Sequence, residues 1–146
     1  MSDITEFFGG APKPTERKKR VEKKPEEKKV DPIEQLLADR GYSLVDKIYG
    51  RVGNETVPLV VIARDPFGQI HYICTFPISG RLCGAEFYNI LDVARHLRLV
   101  HERNLSEMGR VIEYIIKQVR EGKLSLDLVK SVLPQDIVYK IERELT

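Results

Sequence analysis

Hydrophobic and polar positions follow three regimes along this chain. From Pro12 to Val30 charge dominates, in Glu16-Arg17-Lys18-Lys19-Arg20 and again in Lys23-Lys24-Pro25-Glu26-Glu27-Lys28-Lys29, with Val21 alone between them. Such a stretch buries too little to offset its backbone ordering entropy, so residues 1–30 are expected to be a disordered charged tail. A folded domain is expected over 31–146. Asp31-Pro32 suits a helix start, and the helix it predicts runs over 33–40 to Gly41. A period of two then takes over. Residues 42–49 alternate loosely, 50–54 read as a turn, and Val57-Pro58-Leu59-Val60-Val61-Ile62-Ala63 reads as a β-branched strand. Asp65-Pro66-Phe67-Gly68 is a turn, and residues 69–75 return as a second strand, making a hairpin.

Beyond residue 86 the period lengthens to that of a helix. Helices are predicted over 87–102 and 106–121, the second capped by Gly122. Residues 126–132 and 135–145 flank Pro134, which either breaks one helix or starts another. Met108, Val111, Ile112, Ile115, Ile116 and Val119 form a broad apolar stripe, continued by Leu126, Leu128, Val129, Val132, Leu133, Ile137, Val138, Ile141 and Leu145. Core packing is the first reading of that stripe, and a partner groove or dimer face is the other. The fold class is α+β: a small antiparallel sheet with helices packed on it.

Composition narrows the class. Apolar residues make up 42% and charged residues 32% of 146, as in a soluble domain with a heavily charged surface. The longest apolar run, Val57 to Ala63, is far short of the ~20 residues of a membrane span. No secretory pattern is visible, and an intracellular protein without membrane contact is expected. The net charge is +2, and nine Lys/Arg against seven Asp/Glu in residues 1–31 account for all of it. Attraction for nucleic acid therefore resides mainly in the tail, with Arg17, Lys18, Lys19, Arg20, Lys23 and Lys24 as candidate phosphate contacts. A solvated linker is the other reading of that run. There is no phosphate-binding glycine loop, nucleophile motif or informative carboxylate pair, so neither an enzyme nor a small-molecule substrate is expected.

Two cysteines are too few for a disulfide scaffold. In a reducing compartment a close pair is better read as metal ligands. The chain reads Tyr72-Ile73-Cys74, eight residues, Cys83, then Phe87, Val93, His96 and His101. These positions resemble the two-Cys/two-His zinc-finger family. That family has an aromatic two before the first Cys, a Phe four after the second, an aliphatic six later and a His three beyond that. The resemblance covers residues 70–103 and implies a structural zinc held by Cys74, Cys83, His96 and His101; the helical region over 104–146, read from periodicity, lies beyond it. His71 is a spare candidate for one ligand position.

Two departures stand out. Histidines five apart differ by about 140° on an ideal helix, so the last turn must distort for His101 to reach the metal. Eight residues separate the cysteines where the family has two to four. Lengthening that loop costs about 1.2 kcal/mol, whereas structural zinc supplies roughly 10 kcal/mol or more in finger peptides. The metal wins.

In the family, bases are read from the helix between the Phe and the first His, which here implies Asn89, Leu91, Asp92 and Arg95. Asn89 and Arg95 suit base edges. Ile90, Leu91, Ala94, Leu97 and Val100, however, make this helix apolar over half its circumference, as for a helix packed into a larger domain.

The tail holds one feature that solvation does not explain. Ile4, Phe7 and Phe8 stand in an otherwise polar Ser-Asp-Ile-Thr-Glu-Phe-Phe-Gly. This segment resembles the motif by which replication and repair proteins bind the sliding clamp (PCNA), although Met1 stands where that motif begins with Gln. The resemblance implies a non-enzymatic accessory protein of DNA replication or repair; an anchor for another partner, or a strand folding back on the protein's own sheet, are the other readings of these three side chains. An RNA- or ribosome-associated zinc module using its basic tail is the alternative.

Overall fold

The computed structural model of the chain describes residues 31–146. The expectations for Ile4, Phe7, Phe8 and the basic run lie outside the described residues. Helix α1 (Pro32–Arg40) starts at the expected proline and stops where Gly41 takes a φ of 74°. Tyr42 N donates to Leu37 O there, at 2.9 Å, closing the helix end. Strands β1 (Ser43–Val52), β2 (Glu55–Arg64) and β3 (Ile70–Cys74) follow as two successive antiparallel hairpins. β4 (Pro77–Ile78) and β5 (Arg81–Leu82) pair only with each other. β6 (Glu86–Phe87) pairs with β3 through Tyr72 and Ile73, which completes a sheet of order β1-β2-β3-β6.

β1 runs past the turn expected at 50–54 and reaches Val52 before the chain reverses. The reason is tertiary. Gly50 is buried, and a Cβ placed on it would lie 2.2 Å from Leu59 Cδ1 and 2.5 Å from the carbonyl oxygen of Glu107. Its glycine serves close approach rather than a turn.

The helical third begins later than its periodicity suggests. Phe87 belongs to β6, opposite Tyr72, and α2 occupies Ile90–Leu99. Asn89 caps it: its Oδ1 accepts from Asp92 N at 2.9 Å. Helix α3 (Gly109–Arg120) is led in by a reciprocal capping pair. Glu107 N donates to Asn104 Oδ1 at 2.9 Å, and Asn104 N donates to Glu107 Oε1 at 3.0 Å. Periodicity alone does not show this Asn-x-x-Glu pair, which places the first turn after Asn104. Helix α4 (Leu126–Val132) is capped by Ser125, and Pro134 starts α5 (Gln135–Leu145) rather than breaking a longer helix.

Packing falls on both faces of the sheet. β2 is buried along Leu59, Val60, Val61, Ile62 and Ala63. Val60, Ile62 and Cys74 join the main core with Leu91, Leu97, Ile112, Ile115, Ile137 and Ile141 of the C-terminal helices. Val61, Ala63 and Ile73 pack with Ile33 and Leu37 of α1. Those two α1 side chains contribute about 4 kcal/mol gross, at ~2 each. Most of the apolar stripe of α3 to α5 is core, although Leu128 is half exposed. Val100, expected on the buried face of α2, is 62% exposed because the helix has already ended. Among the described residues no helix is long and apolar enough to cross a membrane.

Candidate metal centre

Four side chains from separate segments converge at one end of the sheet. Cys74 closes β3, Cys83 follows β5, His96 lies in α2, and His101 follows that helix. Their ligand atoms all lie within 4.8 Å of one another. Cys83 Sγ is 3.4 Å from His96 Nε2, and the Nε2 atoms of His96 and His101 are 3.0 Å apart. A tetrahedron with metal–sulfur bonds of about 2.3 Å and metal–nitrogen bonds of about 2.0 Å has S–N edges of about 3.5 Å and N–N edges of about 3.3 Å. The two short separations lie close to those edges, and the four donors are positioned to hold a metal ion.

The eight residues between the cysteines do not form a slack loop. They fold into the β4–β5 hairpin, with Pro77 opposite Leu82 and Ile78 opposite Arg81. Cys83 N donates to Phe76 O at 3.0 Å, so the insert is tied off at its base. Gly84 N donates to Cys74 O and Cys74 N donates to Ala85 O, both at 2.8 Å. The cysteines therefore meet across a short backbone knuckle despite their spacing. The distortion expected at His101 is also present, since α2 ends at Leu99 and Val100 forms its C-cap.

Electrostatics suit neutral imidazoles. Burial holds His96 below the ordinary histidine range. His101 is lowered first by burial, then by the neighbouring charges of His96 and Arg103. Cys74 is fully buried, and that burial pushes its thiol up to about 12. A cation reverses this preference, because a coordinating thiol is deprotonated by the ion it binds. Aromatic rings surround the donors: Phe76 stacks on His101 with centroids 4.2 Å apart, and Phe87 lies 5.1 Å from His96.

His71 is not brought to this cluster. A period of two places residues 72 and 74 on one face of β3 and residues 71 and 73 on the other. On that other face His71 Nε2 lies 2.8 Å from Asp65 Oδ2, and its Nδ1 lies 3.2 Å from Glu86 Oε1. Tyr42 stacks on its ring, Tyr42 Oη donates to Glu86 at 3.0 Å, and Arg40 pairs with the same carboxylate at 2.6 Å. This polar knot joins α1, the β2–β3 turn, β3 and β6, and single-residue motifs gave no sign of it.

The knot makes a pH prediction. The His71 hydrogen bond, then the backbone N–H of Gln69, hold Asp65 below the usual carboxylate range. A depressed carboxyl stabilises the fold above its unfolded value of about 4, and that contribution is lost as pH falls through the lower folded value. Denaturant midpoints of wild type and Asp65→Asn should differ at neutral pH and converge below about pH 4. A difference that persists unchanged into acid contradicts this.

Of the four positions that the finger resemblance implies for base reading, Leu91 is fully buried. Asn89 uses its amide internally, accepting from Asp92 N and donating to Asp92 Oδ2 at 2.9 Å. Arg95 and Asp92 remain exposed. Among the described residues no other group of three or more His, Cys, Asp or Glu side chains converges in this way. Comparison with family models, with curated proteins and with solved structures finds no match.

Proposed function

We propose that the Cys74, Cys83, His96 and His101 cluster holds one structural zinc ion, and that the domain it staples is a non-enzymatic binding module. The single observation that carries this reading is the convergence of two thiols and two imidazoles within 4.8 Å of one another. Mixed thiolate and imidazole ligands in a tetrahedron suit zinc, while oxygen-rich sets suit magnesium or calcium. Four protein ligands fill the tetrahedron and leave no position for a reactive water, the condition of a structural site. With Leu91 buried and Asn89 committed to its cap, sequence-specific base reading from α2 has little support.

The module's role is proposed as an accessory one in DNA replication or repair. Ile4, Phe7 and Phe8 would insert into the apolar pocket of the sliding clamp. Arg17, Lys18, Lys19, Arg20, Lys23 and Lys24 would add avidity on the DNA that the clamp encircles. Burying three such side chains yields roughly 6 kcal/mol gross before ordering costs, which points to micromolar or weaker contact without avidity. The alternative, an RNA- or ribosome-associated module, draws on the observation that residues 1–31 carry the chain's whole net charge of +2.

A clamp pull-down with the full chain separates these. Wild type is expected to be retained, and Phe7→Ala/Phe8→Ala to lose at least tenfold in retention while its zinc content stays at one, tenfold being about 1.4 kcal/mol. Failure of the wild type to bind, together with co-sedimentation with ribosomes, would move the assignment to the alternative.

A further inference from the structure

His101 joins the other ligands from beyond the helix that carries His96, so something other than helical spacing must aim it. After the Val100 cap, His101 N still donates to His96 O, at 3.4 Å. Glu102 then adopts a φ of 53°, a left-handed conformation that side chains rarely take, and the chain turns back. Arg103 follows that turn and bonds to residues on both sides of it. Its N donates to Leu97 O at 3.1 Å, and its Nε donates to the carbonyl oxygen of His101 at 3.1 Å. Its Nη1 donates to Glu107 Oε2 at 3.0 Å, and Glu107 is itself held by Asn104. Its guanidinium carbon also lies 5.1 Å from the centre of Phe76, the ring that stacks on His101 at an interplanar angle of 22°.

We infer that Arg103 is the positioning residue for the fourth ligand. It fixes the His101 backbone by its Nε bond and, through Phe76, the plane of the His101 imidazole. The inference rests on reading the four-residue cluster as a metal centre. It also explains how a histidine five residues after the first serves here: the guanidinium fork binds two acceptors at once and covers an aromatic face. Lysine carries a single flexible ammonium and cannot do all three. Arg98 is the natural comparison. It also follows His96 closely and also makes a double hydrogen bond, but to Asp136 of α5 and not toward the cluster.

The test uses the full reduced chain, titrated with Co2+ by visible absorption and with Zn2+ against a chromophoric chelator. Wild type and Arg98→Ala are expected to share one tetrahedral Co2+ spectrum and one affinity. Arg103→Ala and Arg103→Lys should bind Zn2+ about 10–100-fold more weakly, the usual effect of losing an outer partner of a ligand. Their Co2+ bands should move toward those of His101→Ala. Should Arg103→Ala fail to fold, Glu107→Gln is expected to move the spectrum in the same direction. Wild-type affinity and spectrum in the Arg103 variants would overturn the positioning role while leaving the metal centre intact. Absence of metal uptake by the wild type would instead overturn the metal centre, and this inference with it.

Discussion

Chelating the metal is expected to lower the melting temperature by about 15 °C and yet leave a folded domain at room temperature. A ligand that binds the native state a thousandfold below its free concentration stabilises it by about 4 kcal/mol. For a domain of this size each kcal/mol moves the midpoint by roughly 4 °C. An isolated finger unfolds outright without zinc. Here Leu59, Ile112, Ile115, Ile137 and Ile141 are buried in a core that extends well beyond the four ligands. Calorimetry with and without chelator checks the size of the shift, and Cys83→Ser should reproduce it and then no longer respond to chelator. An unmoved midpoint, in protein carrying well under one equivalent of zinc, would remove the metal centre from the account. Acid should act in the same direction. Zinc must displace a proton from each of the two thiols, including the one that burial holds on Cys74, so log K falls by about two for each unit by which pH falls. The two imidazoles, lowered by burial, add their own proton competition only further into acid.

Gly50→Ala is expected to destabilise the domain by roughly 3 kcal/mol, the upper part of the range for overpacking, or about 12 °C in the midpoint. The added methyl would meet Leu59 Cδ1 at 2.2 Å and the Glu107 carbonyl oxygen at 2.5 Å. Leu59 can rotate away only by disturbing the main core, and the Glu107 carbonyl belongs to the backbone that leads into α3. Arg51 N donates to that same carbonyl at 3.2 Å, so displacing it also breaks the tie between β1 and α3. Gly53→Ala is the matched control. Gly53 sits at the β1–β2 turn with a φ of 63° and has nothing within 4 Å of an added Cβ, so only a backbone cost of about 1 kcal/mol is expected. Equal losses at the two sites would mean that the close packing at Gly50 is not what the glycine serves.

Both expectations bear on how the metal end of the domain is built. α2 presents Leu91, Val93, Ala94 and Leu97 to the core while carrying His96 on a less buried side. The sheet delivers Cys74 from a strand in which His71 and Ile73 are also buried. An ion at this point would join two elements that already pack together, which is why its removal should weaken the domain rather than dissolve it.

What the chain by itself determined is local and periodic. The β-branched run from Val57 to Ala63, the turn at 65–68 and the return over 69–75 specified a hairpin that delivers Cys74, and Tyr72, Phe87, Val93, His96 and His101 fell at the offsets of a two-Cys/two-His ligand set. His71, a spare ligand candidate by sequence, goes instead to Asp65 and Glu86, because a residue three places before Cys74 in a strand faces the other way. Tertiary structure alone decided that α1 covers the opposite face, that residues 77–82 become a hairpin, and that Gly50 admits a helix entry instead of making a turn. It also decided that Arg103 aims His101. The division has one physical cause. Periodicity records which side of an element avoids water, whereas close approach and side-chain clamps depend on atoms that meet across distant segments, and no spacing along the chain encodes that meeting.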